Sequence, residues 1–242
     1  MNDPSSQPGS FGKDVHQYQD GLHRGLALAG EDSDFFSRGR IAWTANCLRH
    51  IGFQPSSVLD FGCGPGLSAH HFLDVLGAQS ITGVDISAPL IEAAKETNKD
   101  PRVRFVLASE FLPGEGMDLA YVNGVFHHIP PADRPAAMAF ILRSLKPGGC
   151  FAFWENNPWS LPARMVMWRI PFDRDAKMIS AGEARRMLRG VGFEIVRTDY
   201  QFIFPRALGF LRPVEKCVAA VPLGAQYQVL ARKKRTERFV VT

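Results

Sequence analysis

Three glycines at alternate positions, Gly62, Gly64 and Gly66, follow a short apolar run that ends in Asp60. A helical pattern begins at Leu67, so the segment predicts a strand, a tight glycine turn and a helix. Glycine adopts backbone conformations that other residues avoid, and it has no side chain to keep a ligand away from the backbone. A nucleotide-like ligand can therefore approach this turn at the N-terminal end of the helix.

A second carboxylate, Asp85, ends the next predicted strand, about 20 residues beyond the glycine turn. In an α/β nucleotide site, a carboxylate at this place can accept hydrogen bonds from both ribose hydroxyls. The dinucleotide fingerprint G-x-G-x-x-G, however, requires a third glycine where this chain has Leu67. The chain therefore departs from the dinucleotide pattern at that position.

The elements that must position these residues alternate along the chain between apolar runs and helical patterns. This alternation is typical of a parallel α/β sheet. The predicted strands are Ser57–Asp60, Ser80–Val84, Val103–Leu107, Met117–Asn123, Cys150–Glu155, Phe193–Tyr200 and Gln226–Ala231. The predicted helices between them are Leu67–Leu76, Ala88–Asn98, Pro131–Leu145 and Ala181–Arg189, and an earlier helix is capped by Ser33 or Asp34 and stops at Gly52.

Composition predicts one globular domain with additions at its ends. The chain has 242 residues, of which 45% are hydrophobic and 21% are charged, which is ample material for a core. We divide it into a disordered tail (1–13), a helical cap (14–52), a main domain (53–232) with an insertion at about 156–180, and a basic tail (233–242).

Charge and cysteine usage narrow the class of protein. The net charge is +4, but much of the excess lies in the terminal run 232–238, which is typical of a solvated tail and disfavours nucleic acid as a partner. Four well-separated cysteines indicate a reducing compartment without disulfides or structural zinc, and no clustered metal ligands are evident. No apolar run reaches the ~20 residues of a membrane helix, and the N-terminus lacks a secretory signal, so we expect a cytoplasmic protein.

Together these motifs resemble the class I S-adenosylmethionine (SAM)-dependent methyltransferases. Motif I of that family is an acidic residue, one spacer and G-x-G-x-G, as at Asp60–Gly66, and Asp85 and Lys146–Gly149 follow in the family's order. The resemblance covers most of the chain, from Ile41 onward. It implies a doubly wound, mostly parallel seven-stranded sheet with helices on both faces and one antiparallel strand, which residues near Tyr200 and from Gln226 would supply.

The resemblance implies SAM as the cofactor. The glycine turn would lie along its methionine part, and Asp60 would help to hold its amino group, directly or through water. Asp85 would bind the ribose, and Ile86 would pack on the adenine. Each role has a structural alternative, in which the glycines only form a tight turn, Asp60 is an ordinary turn residue and Asp85 caps the helix that begins after Ser87.

Two further contacts follow the third and fourth strands. Ser109 or Glu110 stands where the family usually has an aspartate that meets the adenine amino group, and the choice between them is open, as is an ordinary loop role for both. Asn123 and Phe126 would line the cofactor near its reactive methyl group.

His127 and His128 follow these residues, close to the expected methyl group. A histidine can remove a proton from a neutral hydroxyl acceptor because its pKa lies near neutrality. One of the pair is our candidate general base, and the alternative is that the pair only shapes the loop. Methyltransferases that act on amino groups of DNA and protein resemble one another in a [DN]-P-P-[YF] motif directly after the fourth strand. This chain has Asn123-Gly-Val-Phe126 there, so methylation of a nucleobase amino group is disfavoured.

The acceptor side is predicted from two aromatic segments. The insertion is rich in prolines and aromatic residues and is predicted to be irregular; Asn157 and Trp159 in it are candidate acceptor contacts, with a polar cap and a core tryptophan as the alternative. The stretch 202–223 has an amphipathic pattern that suits either a lipid-facing segment or core packing with solvated basic residues. Peripheral membrane contact is thus left open.

The sequence thus predicts a SAM-dependent methyltransferase acting on a small or lipid-like metabolite. The alternatives are an RNA methyltransferase, a nicotinamide-dependent reductase and a non-catalytic SAM-binding protein. The methylated atom and the oligomeric state do not follow from the sequence.

Overall fold

A computed structural model of the chain describes residues 21, 25, 30–170, 173 and 176–235. The predicted tail (1–13), most of residues 14–29 of the predicted cap and residues 236–242 of the basic tail lie outside the described residues. The same holds for residues 171, 172, 174 and 175 of the insertion. The division into domains stays a prediction.

The described residues form one seven-stranded sheet. Its strands are β1 (Ser57–Phe61), β2 (Ser80–Asp85), β3 (Val103–Leu107), β4 (Met117–Asn123), β5 (Leu145–Asn156), β6 (Phe193–Gln201) and β7 (Gln226–Lys233). Their order is β3-β2-β1-β4-β5-β7-β6, with parallel pairing from β3 to β5 and with β7 antiparallel to both β5 and β6. The predicted fold class, a doubly wound sheet with one antiparallel strand, is confirmed.

Helices cover both faces of the sheet. They are α1 (Ser33–His50), α2 (Ala69–Asp74), α3 (Ala88–Thr97), α4 (Arg134–Ser144), α5 (Leu161–Arg169), α6 (Ala181–Gly190) and α7 (Arg212–Glu215), with a 3₁₀ helix at Arg206–Leu211. Alternate residues of β4 enter different cores: Leu119 packs with α1 and α2, whereas Ala120 packs with α4 and α6. This two-sided burial explains why the central strands are continuously apolar.

The N-cap of α1 lies one residue before the predicted cap Ser33 and two residues before the alternative, Asp34. The carboxylate of Asp32 accepts a hydrogen bond from the Phe35 amide at 2.8 Å, so Asp32 is the N-cap rather than Ser33 or Asp34. At the other end, Gly52 has φ of +64°, as the predicted stop requires. The helix α1 therefore lies within the predicted helical segment 14–52, directly before β1.

The segment 146–149 differs from its prediction. The sequence indicated a helix through Leu145, a turn and a strand from Cys150, but β5 already starts at Leu145, which pairs with Met117. The next pair is Leu119 with Cys150, so residues 146–149 bulge out of the ladder. Gly148, at φ of +82°, permits this bulge.

The insertion is not irregular throughout, which corrects a second prediction. It contains the nine-residue helix α5, whose start is fixed by the Ser160 hydroxyl accepting from the Ala163 amide at 3.3 Å. Pro162 lies in the first turn of α5, where a missing amide hydrogen costs nothing. One of the prolines that suggested an irregular segment, Pro162, therefore marks the beginning of a helix.

The stretch 202–223 folds around a buried carboxylate. Both oxygens of Glu215 accept backbone hydrogen bonds, at 3.0–3.2 Å, from residues 202–204. The backbone of Phe202 has φ of +64°, and its ring packs edge-on against Phe36 of α1, with centroids 5.0 Å apart. Among the described residues, no helix combines the length and hydropathy that crossing a membrane requires.

Candidate active site

The glycine turn after β1 is held against the end of β2. The amides of Gly62 and Cys63 both donate to the carbonyl of Val84, at 2.7 and 3.1 Å. Gly62 and Gly64 have φ of +75° and +54°, a region that favours glycine, and a Cβ on Gly62 would collide with the Val125 side chain. The turn therefore brings bare backbone next to the loop that follows β4.

Asp85 ties this turn to β2. One of its carboxylate oxygens accepts from the Gly64 amide at 2.8 Å, and the other accepts from the Ser87 amide at 2.9 Å. The cap of α3 is Ser87, whose hydroxyl accepts from the Leu90 amide, so Asp85 does not serve as the helix cap. Each carboxylate oxygen has more than one lone pair and can still accept a further hydrogen bond from a ligand.

Asp60 is a buried carboxyl with no hydrogen-bond donor among the described residues. It is 5% exposed, and burial raises its pKa to about 7, with a further raising effect from Asp85 and an opposing one from Arg40. Arg40 itself donates to the Tyr121 hydroxyl at 3.2 Å and to the Gln226 side chain at 3.0 Å. Asp60 is thus an acceptor that a bound donor group would satisfy.

Asn123, at the end of β4, offers a second unsatisfied acceptor. Its side-chain oxygen is buried and has no partner among the described residues. Buried polar atoms are nearly always paired, so an unpaired one on a cavity wall indicates a place for a ligand.

These groups line a crevice of about 1030 Å³ at the carboxyl ends of β1, β2 and β4. The candidate site residues on its wall are Asp60, Gly62, Gly64, Asp85, Ile86, Asn123, His127, His128 and Trp159. Five further candidates do not line it, namely Gly66, Ser109, Glu110, Phe126 and Asn157.

Two of these five serve packing. A Cβ on Gly66 would lie 2.6 Å from the Phe105 ring, so Gly66 lets the turn pack against β3 rather than facing the crevice. Phe126 is fully buried, with its ring 5.1 Å from that of Phe153 and 6.3 Å from that of Phe61. It belongs to the core beneath the loop.

Of the other three, one residue joins two loops and two residues are exposed to solvent. Asn157 is buried, and its amide donates to the carbonyls of Pro222 and Gly224, at 3.2 and 2.9 Å, so it clamps two loops together. Ser109 and Glu110 are exposed in the turn after β3. The residue from that turn that does line the crevice is Ala108.

The two histidines take part in a buried polar cluster. His127 Nδ1 lies 2.6 Å from a carboxylate oxygen of Glu155, and its Nε2 lies 2.9 Å from His128 Nε2. Asp173 Oδ1 lies 3.0 Å from His128 Nε2 and 3.5 Å from His127 Nε2. Sequence patterns did not reveal this cluster, because its carboxylates come from β5 and from the insertion.

The charge of His127 bears on the base hypothesis. Burial lowers its pKa, but the negative charge of Glu155 and the hydrogen bonds with Asp173 and Glu155 outweigh burial and raise the pKa to about 10. His127 therefore retains its proton at neutral pH, which argues against a role as general base.

The opposite wall of the crevice is apolar. It is formed by the start of α1, the first half of the insertion and the stretch 202–223, and Trp159 stands on it 77% exposed. Its large apolar members are Phe35, Phe36, Trp159, Leu161, Met165, Phe202, Phe204 and Leu223. The crevice thus has a polar side with acceptors and an apolar side.

Comparisons with known proteins agree with this arrangement. A family model described as "Methyltransferase domain" matches residues 58–149, from β1 into β5. A trans-aconitate 2-methyltransferase of Rhodopseudomonas palustris (strain BisB5) is 28% identical over 149 residues, which are 59% of this chain and 57% of that protein. Another, of Agrobacterium fabrum, is 34% identical over 110 residues, 45% of this chain and 41% of that protein.

The chain therefore spans about half the length of the curated relatives it matches. Among solved structures, a SAM-dependent methyltransferase from Thermotoga maritima superposes with a TM-score of 0.62 at 18% identity, covering 91% of this chain and 99% of that one. At this level of identity the likeness shows a shared fold.

Proposed function

We propose that the chain transfers a methyl group from SAM to a small, largely apolar acceptor. A family model described as "Methyltransferase domain" matches residues 58–149, and the fold is shared with a SAM-dependent methyltransferase, which supports this proposal. One observation carries the proposal. On one side of the crevice, the glycine turn lies beside acceptors that have no donor among the described residues, and the other side is apolar.

The polar side of the crevice fits SAM. This molecule presents an ammonium group and two ribose hydroxyls, which are hydrogen-bond donors, and the Asp60 carboxyl and the Asn123 carbonyl are acceptors that lack donors among the described residues. Asp85 keeps acceptor capacity on both oxygens for the ribose. When bound, SAM supplies an electrophilic methyl group on a sulfonium.

The chain's own residues have a limited chemical task. Positive charge disperses during methyl transfer, so alignment of donor and acceptor and exclusion of water matter most. Asp60, Asp85 and Asn123 would orient the donor, and the wall around Trp159 would hold the acceptor in a dry environment. His128 is left as the candidate general base, since the contact with Glu155 keeps the proton on His127.

The charges on the crevice wall favour an apolar acceptor over a polyanion. The relatives are named for trans-aconitate, an anion that would need free cations. On the described wall, both guanidinium groups already have partners: Arg40 donates to Tyr121 and Gln226, and Arg212 lies 2.8 Å from a carboxylate oxygen of Glu31. Phenolic, aliphatic and lipid-like hydroxyl or carboxyl compounds are therefore the acceptors to test first.

The test measures S-adenosylhomocysteine released by the purified full chain from SAM. Parallel arms contain apolar hydroxyl and carboxyl compounds, trans-aconitate, RNA or buffer alone. We expect product only with apolar acceptors, and loss of product in Asp85→Ala but not in Glu96→Ala, which removes an exposed carboxylate of α3.

The other outcomes contradict parts of the proposal. Product with trans-aconitate alone or with RNA alone would overturn the apolar acceptor. Binding of SAM with no product in any arm would favour a non-catalytic SAM-binding protein. Binding of NAD in place of SAM would favour a reductase.

A further inference from the structure

We propose that His127, His128 and Asp173 form a binding site for one divalent transition-metal ion such as Zn²⁺ on the wall of the crevice. Among the described residues, they form one of two groups of at least three His, Cys, Asp or Glu side chains whose potential ligand atoms all lie within 4.8 Å of one another. All three side chains also line the crevice. No sequence motif announces the site, since Asp173 lies far from the histidine pair along the chain.

The three ligand atoms are already spaced nearly as a metal would require. Bonds of about 2.0–2.2 Å to a tetrahedral Zn²⁺ place neighbouring ligand atoms about 3.3–3.5 Å apart. The observed separations are 2.9 Å between the two histidine Nε2 atoms, 3.0 Å from His128 Nε2 to Asp173 Oδ1 and 3.5 Å from His127 Nε2 to that oxygen. Binding would require shifts of only about half an ångström in two of the three distances.

A carboxylate behind His127 adds an independent observation. Metal-binding histidines almost always donate the second ring N–H to a carboxylate or carbonyl, which fixes the tautomer and aims the free nitrogen at the metal. Glu155 does this at 2.6 Å from His127 Nδ1, and its other oxygen accepts from the Phe126 and His127 amides at 2.9 and 3.3 Å. Glu155 is 1% exposed, so this support is rigid.

Glu155 and Asp173 are both buried, and a buried carboxylate needs a compensating positive charge or a metal. In the metal-free chain the protonated His127 supplies the positive charge of this cluster, and a bound metal ion would take the place of its proton. The backbone of Asp173 is anchored, since its amide donates to the Ile170 carbonyl at 3.0 Å. The Lys177 amide donates to the His127 carbonyl at the same distance, which ties the insertion to the histidine loop.

A site with three protein ligands leaves a coordination position for a substrate or water. Because the three side chains line the crevice, that position would take an oxygen atom of the acceptor, from a hydroxyl or a carboxylate. This last step rests on the proposed function, whereas metal binding itself does not. A bound ion uses the lone pair of His128, so His128 cannot act as a base in that state.

The chain offers a matched control in its second cluster. His70 Nε2 and His71 Nε2 lie 3.3 and 2.8 Å from Asp34 Oδ1. Asp34 and His70 are exposed, and none of the three residues lines the crevice. A His70→Ala variant therefore removes the same type of ligand from the competing site.

The test titrates Zn²⁺ into the chelator-treated full chain by calorimetry and counts the metal retained after desalting. We expect one Zn²⁺ per chain, with affinity at least tenfold weaker in His128→Ala and in Asp173→Asn and unchanged in His70→Ala. Glu155→Gln should weaken binding by about 10–100-fold, the effect typical of losing the carboxylate behind a histidine ligand. Circular dichroism checks the folding of each variant. If His128→Ala does not fold, the affinity of Asp173→Asn for Zn²⁺ decides the test.

Absence of stoichiometric Zn²⁺ in the wild type would overturn the proposal. So would a loss of binding in His70→Ala that spares His128→Ala and Asp173→Asn. SAM binding by the chelated chain is measured in parallel: SAM binding without Zn²⁺ binding removes the metal site alone, and Zn²⁺ binding without SAM binding removes the proposed function alone.

Discussion

Replacing the carboxyl of Asp60 by an amide should stabilise the ligand-free protein at alkaline pH and weaken its binding of SAM. Burial raises the pKa of Asp60 to about 7, Asp85 raises it further, and Arg40 opposes both. Tyr121 and Cys63 also face this carboxyl, and burial raises the pKa of each, of Tyr121 to about 12, so both stay neutral. The ionised Asp60 therefore stands in a site that favours its neutral form.

The size of the effect follows from the two pKa values. The ordinary value of 3.8 holds in the unfolded chain, so the folded value of about 7 lies roughly 3 units higher, at about 1.4 kcal/mol per unit. Because the pKa is raised on folding, the penalty is absent below 3.8, grows as the pH rises towards 7 and is then constant. The penalty that ionised Asp60 imposes on the free energy of unfolding should therefore be about 3 kcal/mol larger at pH 8 than at about pH 4.5.

The assay compares wild type and Asp60→Asn by urea denaturation at these two pH values. A buried amide without a partner costs about 1–3 kcal/mol at any pH, so the change of the difference with pH isolates the carboxyl. We expect the variant to gain about 3 kcal/mol relative to wild type on going to the higher pH. Glu96→Gln, an exposed control, should gain nothing, and a pH-independent difference for Asp60→Asn would refute the reasoning.

Three further substitutions separate the roles of the crevice residues. Asp85→Ala should weaken SAM binding by about 1–3 kcal/mol in calorimetry, because the ribose hydroxyls lose their acceptor, and unchanged affinity would remove Asp85 from the site. Gly66→Ala should lower the free energy of unfolding, measured in urea, by about 2–4 kcal/mol, because of left-handed backbone strain and the clash with Phe105. The control Gly190→Ala has open space around the added methyl group and should leave the free energy of unfolding unchanged. Equal stability of the two variants would contradict the packing role of Gly66. Trp159→Ala should raise KM for the acceptor severalfold and leave SAM affinity unchanged, and a loss confined to SAM affinity would place Trp159 with the donor instead.

The parts of the fold that were predictable depend on local patterns. Apolar runs and the glycine turn predicted six of the seven strands to within two residues of their observed bounds, and only the start of β5 was far off. The central strands are the easiest to find, because a strand buried on both faces must be apolar along its length. The bulge at 146–149 was missed because it depends on pairing between β4 and β5, which no local pattern encodes. The helix α5 was missed because Pro162 breaks a helix in its interior but is compatible with its first turn.

The candidate site divides in the same way. The donor side is built from residues close together in sequence, and Asp60, Gly62, Gly64 and Asp85 all reach the crevice. Other features arise only from tertiary contacts. The proton held by His127 depends on Glu155, 28 residues away, and the cluster with Asp173 requires the insertion to fold back on β4.

The most direct test of the central claim is calorimetric titration of the purified full chain with SAM and, separately, with NAD. The glycine turn, the acceptors of Asp60 and Asn123 that have no donor among the described residues, and the proposed ribose-binding role of Asp85 predict binding of one SAM per chain and no binding of NAD. Binding of NAD with no binding of SAM would contradict the account.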